Sequence, residues 1–336
     1  MSVMRFQAFA ITIALAALVM ASGCIFNPND FTTDVVNVNR NEKTGIKDVL
    51  AIEKIETIPR SSIYPDMDIL LFFNIVNLDD TENVYNMFVE LFDPFIFKNK
   101  TKNYCSDSKD ACLSDVCNYK VLLPCSVLPL GVQPIRFELK APSNDEIAGI
   151  RTAGELQFRV LYDFNSSYNY QVLVVHMDEI LKMQVANKKI EKTLASSRSG
   201  GPVQIYAEMR GRDFMVEGSD AAIIFTIKDA GSTGNLKNSE IANGSFVVMF
   251  PSNVVENPSN FVDNLKDIIN CSTKGNEVWC NNIKEIKLYD GESSPLIFNI
   301  KSVKGSGGAM ATYLIKARAS YTYEIRDKAE ITIVAQ

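Results

Sequence analysis

The sequence predicts an all-β protein built as two β-sandwich domains in tandem, joined by a short helix and a linker. Three observations predict this. Short β-prone runs alternate apolar and polar residues between turn clusters, a helical composition occurs once, near the middle, and the runs of the first half recur in order in the second. The chain has 336 residues, 46% hydrophobic and 22% charged, enough for two domains of ordinary size. Its net charge of -6 comes without a basic block or an arginine-rich helix, so nucleic acid is not an expected partner.

Residues 6–20 form an apolar run too short for a comfortable membrane span, with Arg5 as the only charge before it and the small residues Ala21, Ser22 and Gly23 after it. Residues 1–23 therefore read as a secretory signal peptide. Cys24 adds a thiol that ordinary secretion does not need. The stretch Val19-Met20-Ala21-Ser22-Gly23-Cys24 resembles the lipobox of bacterial and archaeal lipoproteins, although Ala21 stands where leucine is commoner. The resemblance implies cleavage before Cys24 and lipidation of its sulfur. Plain secretion and an uncleaved anchor are the alternatives. Residues 24–45, rich in Asn and Asp and without periodicity, read as a flexible spacer holding the folded part off a membrane. No apolar tail closes the sequence, so the anchor is expected to be N-terminal.

The first sandwich is expected over residues 46–176. Its strand candidates are residues 69–77, 84–92, 135–140, 156–164 and 170–175, with Asn165-Ser166-Ser167 read as a turn between the last two. A cysteine-rich insertion, residues 98–125, interrupts it. Residues 177–194 favour a short helix by composition, and Ser196-Ser197-Arg198-Ser199-Gly200-Gly201-Pro202 reads as a linker, so residues 177–201 are the joint between domains. The second sandwich is expected over residues 202–336.

The second half repeats the first. Phe73-Asn74-Ile75-Val76-Asn77 matches Phe225-Thr226-Ile227-Lys228-Asp229. Residues 134–140 match 295–301, and Val160-Leu161-Tyr162-Asp163-Phe164 matches Ala319-Ser320-Tyr321-Thr322-Tyr323. Alternation places Phe225 and Ile227 inward, and Tyr321 and Tyr323 in one inner row with Ile315, Ala317 and Ala319. Phe73, Phe137, Phe225 and Phe298 are expected in the core, where a buried Phe contributes roughly 1.5 to 3 kcal/mol. This tandem pattern, with Gly201-Pro202-Val203 opening the second unit, resembles the immunoglobulin-like (CARDB-type) β-sandwich modules of archaeal cell-surface proteins. The resemblance implies adhesion, scaffolding or envelope architecture. The long cysteine insertion departs from that family.

Seven cysteines leave an even six once Cys24 is assigned to lipid. Cys105, Cys112, Cys117 and Cys125 lack the paired hooks of a structural zinc site, and in an exported protein they are expected to form disulfides of unknown connectivity. Cys271 and Cys280 flank a hairpin-like connection that one bridge could close. Trp279, the only tryptophan, is expected to plug the core rather than form a surface contact. Asn99, Asn165, Asn243 and Asn270 open N-x-[ST] triplets and are possible glycosylation sites, each in a stretch read as a loop or strand end. No catalytic set is legible. The single histidine, His176, reads as a solvated surface residue, no serine lies in G-x-S-x-G, and Asp79, Asp80 and Glu82 read as a solvated turn without a calcium-loop register.

The expectation is a non-catalytic protein with no cofactor and no metal, held at the cell surface by an N-terminal lipid, whose two domains serve adhesion, scaffolding or binding of a protein or glycan. A solute-binding lipoprotein of a transport system and a strand-exchange subunit of a surface assembly are the alternatives.

Overall fold

The structure is a computed structural model that describes residues 48–60, 62–99, 120–122, 126–190, 196–252, 254–255, 265–303 and 308–334. Residues 1–23 and 24–45, expected to be a signal peptide and a spacer, lie outside the described residues, and Cys24 with them. In the first copy the strands are β1 (Leu50–Ile58), β2 (Asp68–Asn77), β3 (Val84–Asp93), β4 (Lys98–Asn99), β5 (Lys120–Leu122), β6 (Ser126–Val127), β7 (Val132–Lys140) and β8 (Thr152–Val175). Helix α1 (Met177–Val185) follows. The second copy runs through β9 (Ser196–Arg198), β10 (Val203–Met209), β11 (Met215–Val216), β12 (Asp220–Asp229), β13 (Gly234–Leu236), β14 (Glu240–Ile241), β15 (Phe246–Pro251), β16 (Ile269–Lys274) and β17 (Glu277–Asn282). It closes with β18 (Ile286–Tyr289), β19 (Glu292–Ser293), β20 (Leu296–Lys301) and β21 (Met310–Ile333). The fold is all-β and sandwich-like.

The repeat read from sequence is also a repeat of pairing. In the first copy β2 lies between β1 and β7; in the second, β12 lies between β10 and β20. Likewise β3 pairs with β8, and β15 with β21. The two copies then join along β8 and β21, which pair antiparallel over all 24 residues of each, from Thr152 opposite Ile333 to Val175 opposite Met310. Residues of β21 match those of β8 at an offset of 159. Under that offset the pair Tyr162–Tyr323 maps onto the pair Tyr321–Phe164, so a pseudo-two-fold axis passes through the pair Asp163–Thr322.

This long pair forms the middle of one large sheet, in the order β16-β17-β15-β21-β8-β3-β5. Its two faces differ. Every second residue of β8 from Leu156 to Val174 is buried, as are Ile315, Ala317, Ala319, Tyr321, Tyr323 and Ile325 opposite them. The N-terminal half of β8 covers the β1-β2-β7-β4 sheet, where Phe73 stacks on Phe158 with centroids 4.2 Å apart. Its C-terminal half reaches over the second copy, where β8 lies against β10 and Tyr170 and Val172 are buried. Reciprocally, the end of β21 returns to the first copy, with Ile333 bridged to Ile63. One continuous core results, and Asn41–Gln336 forms a single compact unit. The copies fill their cores differently: Ala317 and Ala319 stand where the first copy has Phe158 and Val160, and Phe246 and Phe250 of β15 supply the missing rings against Phe225 and Phe298.

Three details differ from the sequence reading. Asn165-Ser166-Ser167 is not a turn: β8 runs straight through it, because Ser166 is tied to the Tyr321 hydroxyl at 2.9 Å and so carries its polarity into the core. The helix does not continue to residue 194 but ends at Val185. Asn187 adopts φ 52, and the Lys188 and Asn187 amides donate to the Met183 and Gln184 carbonyls, which is a Schellman stop. The expected linker is tied down as well, since Ser196–Arg198 pairs with Tyr168–Tyr170 as strand β9. Gly201 then adopts φ +117 against the Phe164 ring, where an added Cβ would lie 2.8 Å from a ring carbon.

Equivalent strand ends carry equivalent polar residues, one buried and one half-buried. Asn77, fully buried at the end of β2, donates to the carbonyls of Glu82, Val127 and Leu128 and accepts from the Asp79 amide. Asp229, its counterpart on β12, accepts from the Tyr323 hydroxyl at 3.1 Å and from the Gly231 and Leu236 amides. An added Cβ on Gly231 would lie 1.9 Å from the Tyr323 oxygen, so only glycine fits there. Asp48, just before β1, crosses to the second copy and accepts from the Ser232 hydroxyl and amide.

Three outcomes are expected. Among the described residues Tyr162 is the buried hydroxyl with no hydrogen-bond partner, so Tyr162→Phe is expected to raise unfolding stability by about 1 to 3 kcal/mol in a denaturant titration. Tyr323→Phe, which removes a donor from Asp229, is expected to lower it by about 0.5 to 1.5 kcal/mol. Burial, reinforced by the neighbouring Tyr168, pushes the Tyr170 hydroxyl up to about 12, and burial raises Tyr162, Tyr321 and Tyr323 further. Unfolded tyrosine ionises near pH ~10. Above that pH the unfolded chain loses protons that the folded chain retains, so stability is intact below about pH 10 and falls as the pH rises toward 12. Tyrosinate absorbance followed together with circular dichroism is expected to show the buried tyrosines ionising only as the protein unfolds.

Candidate functional site

The outer face of the large sheet carries a groove of about 510 Å³, centred on the pseudo-two-fold axis. Its floor is the outward row of the central pair, Asp163 and Asn165 of β8 with Ser320 and Thr322 of β21. Hydroxyls pair with a carboxylate and an amide across the strands: Thr322 Oγ1 donates to Asp163 Oδ1 at 2.6 Å, and Ser320 Oγ donates to Asn165 Oδ1 at 2.6 Å.

One wall is built by a bulge in β3. Tyr85 pairs with Asp163 and Phe88 with Leu161, so β3 spends three residues where β8 spends two. Tyr85 and Asn86 therefore both face outward, with Asn86 at φ 47, before Met87, Val89 and Leu91 resume the inward row. Tyr85 is 42% exposed at the rim, and Asn86 Nδ2 donates to Asp163 Oδ2 at 2.7 Å. The opposite wall is the turn Lys237–Ser239 with Glu240, Ala242 and Ser245. Asn238 and Ser239 have φ 58 and 52, a left-handed pair that is held because Leu236 and Glu240 are paired at either side. A second hollow of about 260 Å³ shares Lys237 and Asn238 and extends the groove over Arg159, Glu324 and Arg326. There Arg159 and Arg326 lie over the Phe92 ring at 5.7 and 5.5 Å, and Arg159 bonds Glu90 at 2.6 Å.

Of the candidate site residues read from sequence, Asn165 is the one that lines the groove among the described residues. Cys271 and Cys280 form a disulfide between directly opposed residues of the β16–β17 hairpin, and Cys280 is fully buried. Cys24, Cys105, Cys112, Cys117 and Cys125 lie outside the described residues. Asn243 is exposed in the turn after β14, and Asn270 is exposed on β16. Asn99 ends β4. Asn165, read as a loop residue, is half-buried in mid-strand with its amide oxygen engaged. Trp279 does not plug the core: Val278, Cys280 and Asn282 take the inward positions of β17, leaving the indole on the outer face under Lys274 at 4.7 Å and bonded to Glu277 at 3.0 Å.

The possible chemical groups are committed to structure. His176 caps α1, its Nδ1 accepting from the Asp178 amide at 3.2 Å while Nε2 lies 3.3 Å from Glu217. Asp79 is not in a solvated turn but is 6% exposed, and Oδ1 accepts from the Thr81 hydroxyl and from the Thr81 and Glu82 amides, each at 2.8 Å. Among the described residues no group of three or more His, Cys, Asp or Glu could hold a metal ion, and no helix is long and apolar enough to cross a membrane.

Sequence reasoning missed Tyr85, Asn86, Lys237, Asn238 and Glu240. One signal was present: the apolar positions Val84, Met87, Val89 and Leu91 step by three and then by two, which is how a bulge is written in a strand.

In the chain-entropy model the Cys271–Cys280 loop contributes about 2.5 to 3 kcal/mol. Reduction, or Cys271→Ser with Cys280→Ser, is expected to lower unfolding stability by that amount while the rest of the large sheet keeps its circular dichroism signal.

No family model and no curated protein matches the chain. Among solved structures, it is similar at 11% identity and a TM-score of 0.27 to the C-terminal globular domain of an oligosaccharyltransferase from Pyrococcus abyssi, covering 86% of this chain and 50% of that one. It is similar at 7% identity and a TM-score of 0.19 to red sea bream transglutaminase, covering 85% of this chain and 31% of that one. The chain thus spans half or less of these structures, and such scores carry no argument about activity.

Proposed function

We propose that this chain is a non-catalytic, lipid-anchored protein of the cell envelope, whose paired immunoglobulin-like copies, of CARDB type, act as a rigid body for adhesion, scaffolding or partner binding. The observation that carries the reading is the unbroken β8–β21 pairing, which fuses the copies into one core instead of leaving a hinge between two domains. Enzymes that close on a substrate need a part that moves; a protein that presents a surface at the end of a tether needs stiffness. The Cys271–Cys280 bridge fits a chain exported to an oxidising compartment, and His176 and Asp79 are each engaged in hydrogen bonds that hold local structure.

In this reading residues 1–23 are removed, Cys24 carries the lipid and residues 24–45 form the spacer. Each CH₂ buried in the bilayer contributes about 0.8 kcal/mol, so one short chain holds reversibly and two chains, or a diether lipid, hold firmly. The solute-binding alternative is less well supported, because such proteins alternate helices with strands and α1 is the one α-helix among the described residues. Strand exchange meets an obstacle at the β1 edge, where a bulge between Glu53 and Glu56 and the left-handed Lys54 break the ladder that a partner strand would need.

Cys24→Ser is expected to release the protein from the membrane fraction into the medium, with intact mass of the wild type showing a chain that begins at a lipidated Cys24. Retention of the variant in membranes would overturn lipid anchoring in favour of an uncleaved helix.

A further inference from the structure

We infer that the groove on the pseudo-two-fold axis is a binding site for an uncharged oligosaccharide. The inference rests on the reading of this protein as a non-catalytic binding body and names the ligand class of its site.

The argument begins with charge. Among the described residues the ionisable groups lining the two joined hollows are Asp163, Glu240 and Glu324 against Lys237, Arg159 and Arg326, three of each sign. A groove for a polyanion would carry an excess of cations, and one for a cationic peptide an excess of acids. This one has no net charge to offer.

The polar groups that remain have the chemistry of hydroxyl recognition. Asn86, Asn165 and Asn238 place three amides, each both donor and acceptor, around a floor of Ser320 and Thr322 hydroxyls, with Ser245 on the far wall. Sugar hydroxyls are likewise donor and acceptor at once, and they suit such mixed groups better than they suit one fixed charge. Asp163 is held in place from both sides by Asn86 and Thr322, so the floor is organised before any ligand arrives.

Tyr85 supplies the apolar element. The bulge turns its ring out at the rim, 42% exposed, with the hydroxyl 3.5 Å from Asn83 Nδ2. A flat aromatic face with a polar edge matches a pyranose ring, whose C–H face is apolar and whose rim is hydroxylated. A protein partner would instead call for a cluster of desolvated aromatic and apolar anchors at the centre of its interface. Among the described residues Tyr85 is the one large exposed apolar side chain in the lining, and it stands at the edge. The volume of about 510 Å³ lies within the range of small-ligand sites, and the second hollow extends it lengthwise, as a chain of sugar units would require.

The test is a calorimetric titration of the full-length protein, extracted from its membrane fraction, with maltohexaose, cellohexaose and chitohexaose in turn. At least one is expected to bind. Tyr85→Phe is expected to retain that binding, Tyr85→Ala to weaken it tenfold or more, and Ala242→Trp to abolish it by filling the groove, with all three variants unfolding at the wild-type temperature. No heat with any of the three sugars on folded wild type overturns the inference, as does binding that Tyr85→Ala and Ala242→Trp leave unchanged. Loss of sugar binding with Cys24-dependent membrane retention intact would remove the saccharide and leave the anchored binding body standing.

Discussion

The pairing of β8 with β21 is the constraint on which the rest of the molecule depends. A strand of 24 residues is several times the usual length, and it persists because each half of each strand has a different sheet to cover. Neither copy closes its own core alone: β8 carries Tyr170 and Val172 out over the second copy, and β21 carries Ile331 and Ile333 back over the first. Burial on one face, repeated without a break, holds the register, since a slip of one residue would turn every tyrosine of the inner row toward solvent.

The same alternation creates the outer face. Residues that cannot be buried in the central pair are left in a row, and near the axis that row consists of Asp163, Asn165, Ser320 and Thr322, which bond one another in cross-strand pairs. Raised walls on either side turn a flat sheet into a groove. The walls differ in origin, a bulge on the side of the first copy and a left-handed turn on the side of the second, so the axis that relates the cores does not relate the walls. A repeat has kept its packing and diverged where it meets solvent.

Polar residues at the strand ends hold the loops that such a groove needs. Asn77, Asp229 and Asn282 are each buried or partly buried at the end of a strand, and each satisfies backbone groups of the loop beside it. Leaving those groups unpaired in the core would cost about 1 to 3 kcal/mol apiece. The turn that carries Lys237 and Asn238 is positioned in this way, through the bond from the Leu236 amide to Asp229. Asp48, just before β1, adds a tie between the copies.

Much of the fold was legible in the sequence. Inward alternation at Phe73, Phe137, Phe225, Phe298, Tyr321 and Tyr323 and the duplication followed from side-chain period and order, because both are local properties of an extended chain. The hairpin bridged by Cys271 and Cys280 was legible for the same reason. Local signals failed where distant partners decide. Asn165-Ser166-Ser167 has turn composition, yet the inner Tyr321 hydroxyl and the outer Ser320 hydroxyl satisfy it as strand; Trp279 is large and apolar, yet its parity on β17 puts it outside. The groove was hardly legible, since Tyr85, Asp163, Lys237 and Thr322 come from four separate segments that only the β8–β21 pairing brings together. Most of the long strands, their buried faces and their duplication could be read from the sequence alone, because the period of a strand is written residue by residue. The tertiary structure alone decided that the two copies share one sheet and that a polar groove lies on their axis, because strand pairing depends on which edges meet, and no local pattern encodes that choice.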